Sequence, residues 1–206
     1  MTFSYNYSTP SYGRFNSQVR THANTTQRMQ VYYYMEYLPT RYAGSNSQIQ
    51  DRRDIFNFKD GSCPSHIING LADGIRRIAN SNTVVCFLPA STSYKTVRRY
   101  GNISDKLSTM TGVSCSYKAI SKTEDSDAGH IAGKSSDPAA EFTFDPSFFS
   151  GKKVILIDDI ITRGTTLEST AKRLLQMGAR EVVGLVVAKT INPDWTGTER
   201  RNLVRL

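Results

Sequence analysis

Residues 154–166 read Val-Ile-Leu-Ile-Asp-Asp-Ile-Ile-Thr-Arg-Gly-Thr-Thr. Val154, Ile155, Leu156 and Ile157 form a short apolar run rich in β-branched side chains. Such a run fits a strand covered on both faces in a parallel sheet. Asp158 and Asp159 follow at the strand's end. Two adjacent carboxylates there need partners, because buried unpaired charge is costly. The stretch 162–166 is small or hydroxylated except for Arg163. Leu167, Ala171, Leu174 and Leu175 then recur at helical spacing, with Gly178 as the stop signal.

The order is therefore strand, acidic pair, hydroxyl-and-glycine loop, helix. A helix N-terminus offers unsatisfied N–H groups and the positive end of its dipole to the loop before it. Thr165 or Thr166 is expected to cap the helix. Gly164 allows a tight turn and close approach of backbone to ligand. A phosphate is the natural occupant. The carboxylates cannot bind that phosphate, but they can accept hydrogen bonds from two neighbouring hydroxyls. A sugar phosphate with a free cis-diol meets both halves. The nucleoside-triphosphate pattern G-x-x-x-x-G-K-[ST] is absent, as is G-x-G-x-x-G after a strand.

This stretch closely resembles the phosphoribosyl-pyrophosphate (PRPP) motif of the type I phosphoribosyltransferases: four hydrophobic residues, two acidic residues, then a Thr/Gly loop. The resemblance implies that Asp158 and Asp159 are the catalytic pair that holds the ribose hydroxyls. It makes Ile161, Thr162, Arg163, Gly164, Thr165 and Thr166 the loop around the 5′-phosphate, with Arg163 standing where a small residue is common. It also implies an α/β fold, a mainly parallel sheet flanked by helices, with a small N-terminal hood lobe that recognises the acceptor. The implied partners are PRPP and a small-molecule acceptor, often with a homodimeric assembly. Mg2+ would be held largely by substrate oxygens and water, with Asp158 and Asp159 as the nearest carboxylates.

Upstream, residues 83–88 (TVVCFL) predict a second buried strand, followed by Pro89-Ala90-Ser91-Thr92-Ser93-Tyr94-Lys95. Successive N–H groups and small hydroxyls make an anion nest. In the resembled family the corresponding loop binds pyrophosphate, which makes Ser91, Thr92, Ser93 and Lys95 the candidates. Thr96–Met110 carries Arg99-Tyr100-Gly101-Asn102 and then a short helix with Ile103, Leu107 and Met110. That run is similar to the ComF group of phosphoribosyltransferase-like proteins, with the aromatic residue and glycine transposed and the zinc module missing. A strand is expected over Val113–Ile120. The polar stretch 121–147 is long for a compact domain and so reads as functional. In the family a flexible loop here closes over the site, and Lys122, His130 and Lys134 are the candidates to reach the leaving pyrophosphate. Glu181–Ala188 is expected to be the last buried strand, and Trp195 beyond it a candidate to stack on an acceptor base.

The 206 residues suit one domain with a real core. Residues 1–30 are polar and read as an irregular arm, 31–62 as the hood-like lobe with a strand over Val31–Leu38, and 63–206 as the core. His66–Asn80 predicts a helix, with Ser65 as its N-cap after Pro64. Eight of the eleven tyrosines fall at or before residue 42, where their rings could stack on a base. The net charge of +8 is dispersed along the chain and suits either an anionic substrate or nucleic acid. No nucleic-acid motif is present. No apolar run is long enough to span a membrane, and the N-terminus has no secretory pattern. Cys63, Cys86 and Cys115 have no C-x-x-C spacing, so they read as reduced residues of a cytoplasmic protein. Two functions fit: PRPP-dependent transfer to a nitrogenous acceptor, or a PRPP- or nucleotide-binding regulator, including a ComF-like DNA-handling protein.

Overall fold

The apolar runs of the sequence become neighbouring strands of one sheet in the computed structural model, which describes residues 13–20, 26–122, 137–192 and 203–205. Strand β7 (Lys153–Ile161) contains the Val154–Ile157 run and lies between β3 (Thr83–Phe87) and β8 (Glu181–Thr190), parallel to both. Strand β4 (Ser114–Ser116) joins in parallel outside β3, and β2 (Thr26–Tyr37) in parallel outside β8. Antiparallel strands β1 (Gly13–Arg20) and β9 (Leu203–Arg205) complete the order β4-β3-β7-β8-β2-β1-β9. Every residue of β3 is buried, as is all of β8 after Glu181, which is why these strands read as continuous apolar runs.

Helices cover both faces. Helices α1 (Asn46–Lys59), α2 (Ser65–Ile78) and α3 (Ser93–Thr111) pack Phe58, Leu71 and Tyr100 against Ile155, Ile157 and Leu185. On the other face α5 (Thr165–Gln176) and the short α4 (Pro146–Phe149) pack Leu167, Leu174 and Phe149 against Val154, Leu156 and Val186. A separate two-stranded sheet, β5 (Ile120–Lys122) with β6 (Phe142–Phe144), lies against this second core. Among the described residues no helix is long and apolar enough to cross a membrane. The expected mainly parallel sheet with flanking helices is what forms.

Several local expectations are corrected. Strand β7 does not stop at Ile157: it pairs with β8 as far as Ile161, so both carboxylates sit within strand backbone. The expected strand 113–120 is broken. Only Ser114–Ser116 pair with β3, the chain bends at 117–119, and Ile120 starts the second sheet. Helix α3 begins ten residues before Ile103, at Ser93, and Gly101-Asn102 lie in its middle. Tyr100, Ile103 and Leu107 are buried on either side of that pair and hold the helix together. Ser65 is the first helical residue, and Pro64 takes the cap position. Residues 13–20 form a strand rather than an irregular arm, and β2 belongs to the main sheet. Tyrosine explains the second misreading. Met29, Val31 and Tyr33 enter one core while Tyr32, Tyr34 and Tyr37 border the other, so β2 is two-sided without a simple aliphatic run.

Candidate active site

Consecutive strand residues point to opposite faces, and this splits the acidic pair. Ile155 and Ile157 face the α1–α3 layer, and Asp159 joins them. Asp158 opens instead toward the loop before α5.

Asp158 lines a cavity of about 310 Å³ together with Ile160 and all residues from Ile161 to Leu167. Its Oδ1 accepts the N–H of Asp159 at 2.7 Å. Burial, and next the charge of Asp159, push its carboxyl well above the usual carboxylate range, while Arg99 and Lys59 act in the opposite sense. Asp159 is only 8% exposed. Its Oδ2 accepts from Arg99 Nη1 of α3, and its Oδ1 accepts the N–H of Ile160 at 2.5 Å. Lys59, the last residue of α1, brings Nζ to 3.9 Å from the same carboxylate. Arg99 is fixed in turn: Nε donates to the Lys59 carbonyl at 3.2 Å, and the guanidinium lies 5.6 Å from the centre of the Tyr100 ring.

The rest of the lining is the loop and the first turn of α5, with three threonines, Gly164 and Arg163 among apolar residues. Gly164 adopts φ 83°, a left-handed conformation suited to glycine, and is itself the N-cap of α5. The expected threonine cap is not made: no side chain caps this helix. The hydroxyls of Thr165 and Thr166 therefore lie with the first-turn N–H groups beside the cavity. Strand β8 braces the loop from below. Lys189 Nζ donates to the Thr162 carbonyl at 3.0 Å, and the Thr162 and Thr190 hydroxyls are 2.8 Å apart. Lys189 is 4% exposed, and burial lowers its ammonium pKa.

The second predicted loop follows β3, the strand next to β7. Ser91 precedes the helix, Thr92 is the N-cap of α3 with Oγ1 accepting from the Lys95 N–H at 3.2 Å, and Ser93 and Lys95 are in the first turn. Thr92, read as a phosphate ligand, thus spends an oxygen on capping. Lys122 donates from Nζ to the Ser91 carbonyl at 3.3 Å and pairs with Glu141 at 3.1 Å, which places it beside this loop. His130, Lys134 and Trp195 lie outside the described residues.

A second cleft of about 390 Å³ shares Ile160 and Thr162 with the first and is walled by Tyr37, Arg41, Lys59 and Asp159. Arg99, Lys59 and Lys189 were not singled out from sequence. Arg99 stood in the Arg99-Tyr100-Gly101-Asn102 run without a role, and Lys189 left a signal of its own: a lone cation closing an apolar strand seldom lies there without a partner.

Among the described residues no group of three or more His, Cys, Asp or Glu side chains converges to hold a metal ion. Asp158 in the cavity, with Asp159 lining the adjoining cleft, fits a Mg2+ shared with substrate oxygens and water, not one caged by protein alone.

Comparison with solved structures returns phosphoribosyltransferases. An adenine phosphoribosyltransferase is 14% identical, with 85% of this chain and 85% of that chain covered and a TM-score of 0.41. A hypoxanthine phosphoribosyltransferase from Staphylococcus aureus is 14% identical, covering 68% of this chain and 77% of that one, with a TM-score of 0.38. The allosteric regulatory enzyme of purine biosynthesis is 20% identical over 64% of this chain, with a TM-score of 0.44, and the match spans only 30% of that enzyme. No curated protein matches the chain. The model of the phosphoribosyl transferase domain matches residues 66–192, more than half of the chain, a range that includes the loops after β3 and β7 and the acidic pair. The chain belongs to that family of phosphoribosyl transferase domains.

Proposed function

We propose that this protein uses PRPP and Mg2+ to transfer ribose 5-phosphate to a nitrogenous acceptor with release of pyrophosphate. One observation carries the reading: a single cavity joins Asp158 to the uncapped amino end of α5, so a diol acceptor and phosphate donors share one space, with Asp159 in the adjoining cleft. In the reaction a nitrogen lone pair forms the bond to ribose C1. The C1–O bond to pyrophosphate breaks, its electron pair leaves with pyrophosphate, and the nitrogen gives its proton to water. Asp158 and Asp159 accept hydrogen bonds from the ribose hydroxyls and favour the positive charge that develops on the ring. Ile161, Thr162, Arg163, Gly164, Thr165 and Thr166 hold the 5′-phosphate through backbone N–H groups and hydroxyls. Ser91, Thr92, Ser93, Lys95 and Lys122 form the pyrophosphate side. Mg2+, when bound, neutralises charge on the departing pyrophosphate. The catalytic core is 63–206 together with β2 of the main sheet, the rest of 31–62 lies on the acceptor side, and three free cysteines suit work in the cytoplasm.

The test is pyrophosphate release from PRPP across a panel of bases. Wild type is expected to turn over at least one of them, and the Asp158→Asn/Asp159→Asn double variant none. Equal turnover by the double variant overturns the assignment. A second reading, binding without turnover, is favoured by the Arg99 contact, because one carboxylate is already satisfied in this structure. PRPP binding with no release for any acceptor would select it.

A further inference from the structure

The second cleft has a charge that the transfer reaction itself does not require. Its cations come from separate elements: Arg41 from the turn after β2, and Lys59 from the end of α1. Among the described residues Asp159 is the only carboxylate in its lining, and that carboxylate is shared between Arg99 and Lys59. Arg41 has no carboxylate partner among the described residues. Its Nη2 donates to the Tyr42 hydroxyl at 3.2 Å, and its guanidinium lies 4.9 Å from that ring's centre. The lining therefore carries more positive than negative charge.

The wall that bears Arg41 is built rather than loose. Arg52 of α1 donates from Nε to the Leu38 carbonyl at 2.6 Å, and from Nη2 to the carbonyls of Pro39 at 3.0 Å and Tyr42 at 2.7 Å. The Tyr42 hydroxyl donates to Asn192 Oδ1 at 2.7 Å, tying the turn to the end of β8. Three hydrogen bonds from one guanidinium fix the turn before any ligand arrives, which lowers the ordering cost of binding. Tyr37 supplies an aromatic wall, and Thr190 and Asn192 supply polar groups. The cleft adjoins the phosphoribosyl cavity through Ile160 and Thr162, so its occupant lies next to the ribose site.

We infer that this cleft takes an acceptor carrying its own negative charge, a nitrogen heterocycle with a ring carboxylate, and that Arg41 and Lys59 hold that carboxylate. The inference rests on the transfer reading above and names its acceptor class. A carboxylate between two cations forms charge-assisted hydrogen bonds, and an uncharged base would leave Arg41 without a carboxylate partner among the described residues. Bases of the same size therefore differ in affinity through the carboxylate alone.

The experiment titrates the full chain, by calorimetry, with two matched pairs: uracil-6-carboxylate against uracil, and pyridine-3-carboxylate against pyridine-3-carboxamide. The charged member of at least one pair is expected to bind about tenfold or more tightly than its partner. Raising the salt concentration narrows that ratio. Arg41→Gln and Lys59→Gln should each reduce it to about threefold or less, with melting temperatures confirming that the variants fold. Equal binding within both pairs, binding of none of the four, or an undiminished ratio in both variants overturns the inference. So does inorganic phosphate binding as tightly as the charged heterocycle, which would make the cleft a general anion site. PRPP is titrated separately, so loss of the transfer reading shows as absent PRPP binding whatever the heterocycles do.

Discussion

Asp158 and Asp159 are neighbours in the chain, and opposite faces of the sheet hold them. Asp159 meets two cations, Arg99 and Lys59, whereas Asp158 faces the loop 161–166 across the cavity. Burial and the neighbouring Asp159 charge raise the Asp158 carboxyl above its ordinary range. This has a consequence for stability. A carboxyl whose pKa is raised by folding binds its proton more tightly in the native state than in the unfolded chain. Its folding free energy thus falls as pH rises above the ordinary carboxylate range. Asp158→Asn cannot ionise and escapes that loss. At about pH 8.5 it should melt a few degrees above wild type, roughly 1 kcal/mol of stability, and the gap should close toward about pH 4. Thermal melts across that range check the sign, and a gap that widens on acidification contradicts it. Arg99→Met acts in the other direction, because it leaves Asp159 buried beside a single lysine at 3.9 Å. A loss of about 3 kcal/mol, or roughly 6–12 °C in melting temperature, is expected. Arg99→Lys should recover part of it. The acidic pair was legible in the sequence, but its division was not. Which partner each carboxylate meets depends on which helix layer covers each face.

Elements carry the next set of constraints. The loop before α5 depends on Gly164, whose φ of 83° strains any side chain placed there. Gly164→Val should cost about 1 kcal/mol of stability in a melt, yet weaken PRPP binding far more, because the loop's N–H groups no longer converge. Equal affinity in the variant would show that the loop does not hold the phosphate. Gly70 sets how closely α2 approaches β2. A Cβ there would lie 2.4 Å from Cε2 of the Tyr34 ring, so Gly70→Ala should destabilise the fold by about 1–3 kcal/mol through overpacking. Some elements announced themselves. The helical spacing of Ile67, Ile68, Leu71 and Ile75 marks α2, and all four are buried. Helix α3 hid its first half because Gly101-Asn102 reads as a break and a cluster of small hydroxylated residues precedes it. Buried Tyr100, Ile103 and Leu107 outweigh that local weakness. The strand expected over 113–120 failed for the opposite reason. Its residues are mostly exposed or half-buried, so the sheet edge supports only three of them.

At the scale of the whole molecule, parallel strands alternating with helices place both candidate loops at the carboxyl ends of adjacent strands, where α/β sheets bind ligands. That arrangement could be read from the order of apolar runs alone. The place of β2 could not, because a strand rich in tyrosine shows no aliphatic pattern and pairs with β8 from more than a hundred residues away. Sequence also could not show that the two cavities meet at Ile160 and Thr162. The central claim is that the cavity beside Asp158 binds PRPP. The most direct measurement is calorimetric titration of PRPP, with and without Mg2+, into wild type and into the Asp158→Asn/Asp159→Asn variant. Magnesium-dependent binding by wild type, lost in a variant that still folds, is the predicted result. Absence of binding to wild type, or equal binding to the variant, would contradict the account.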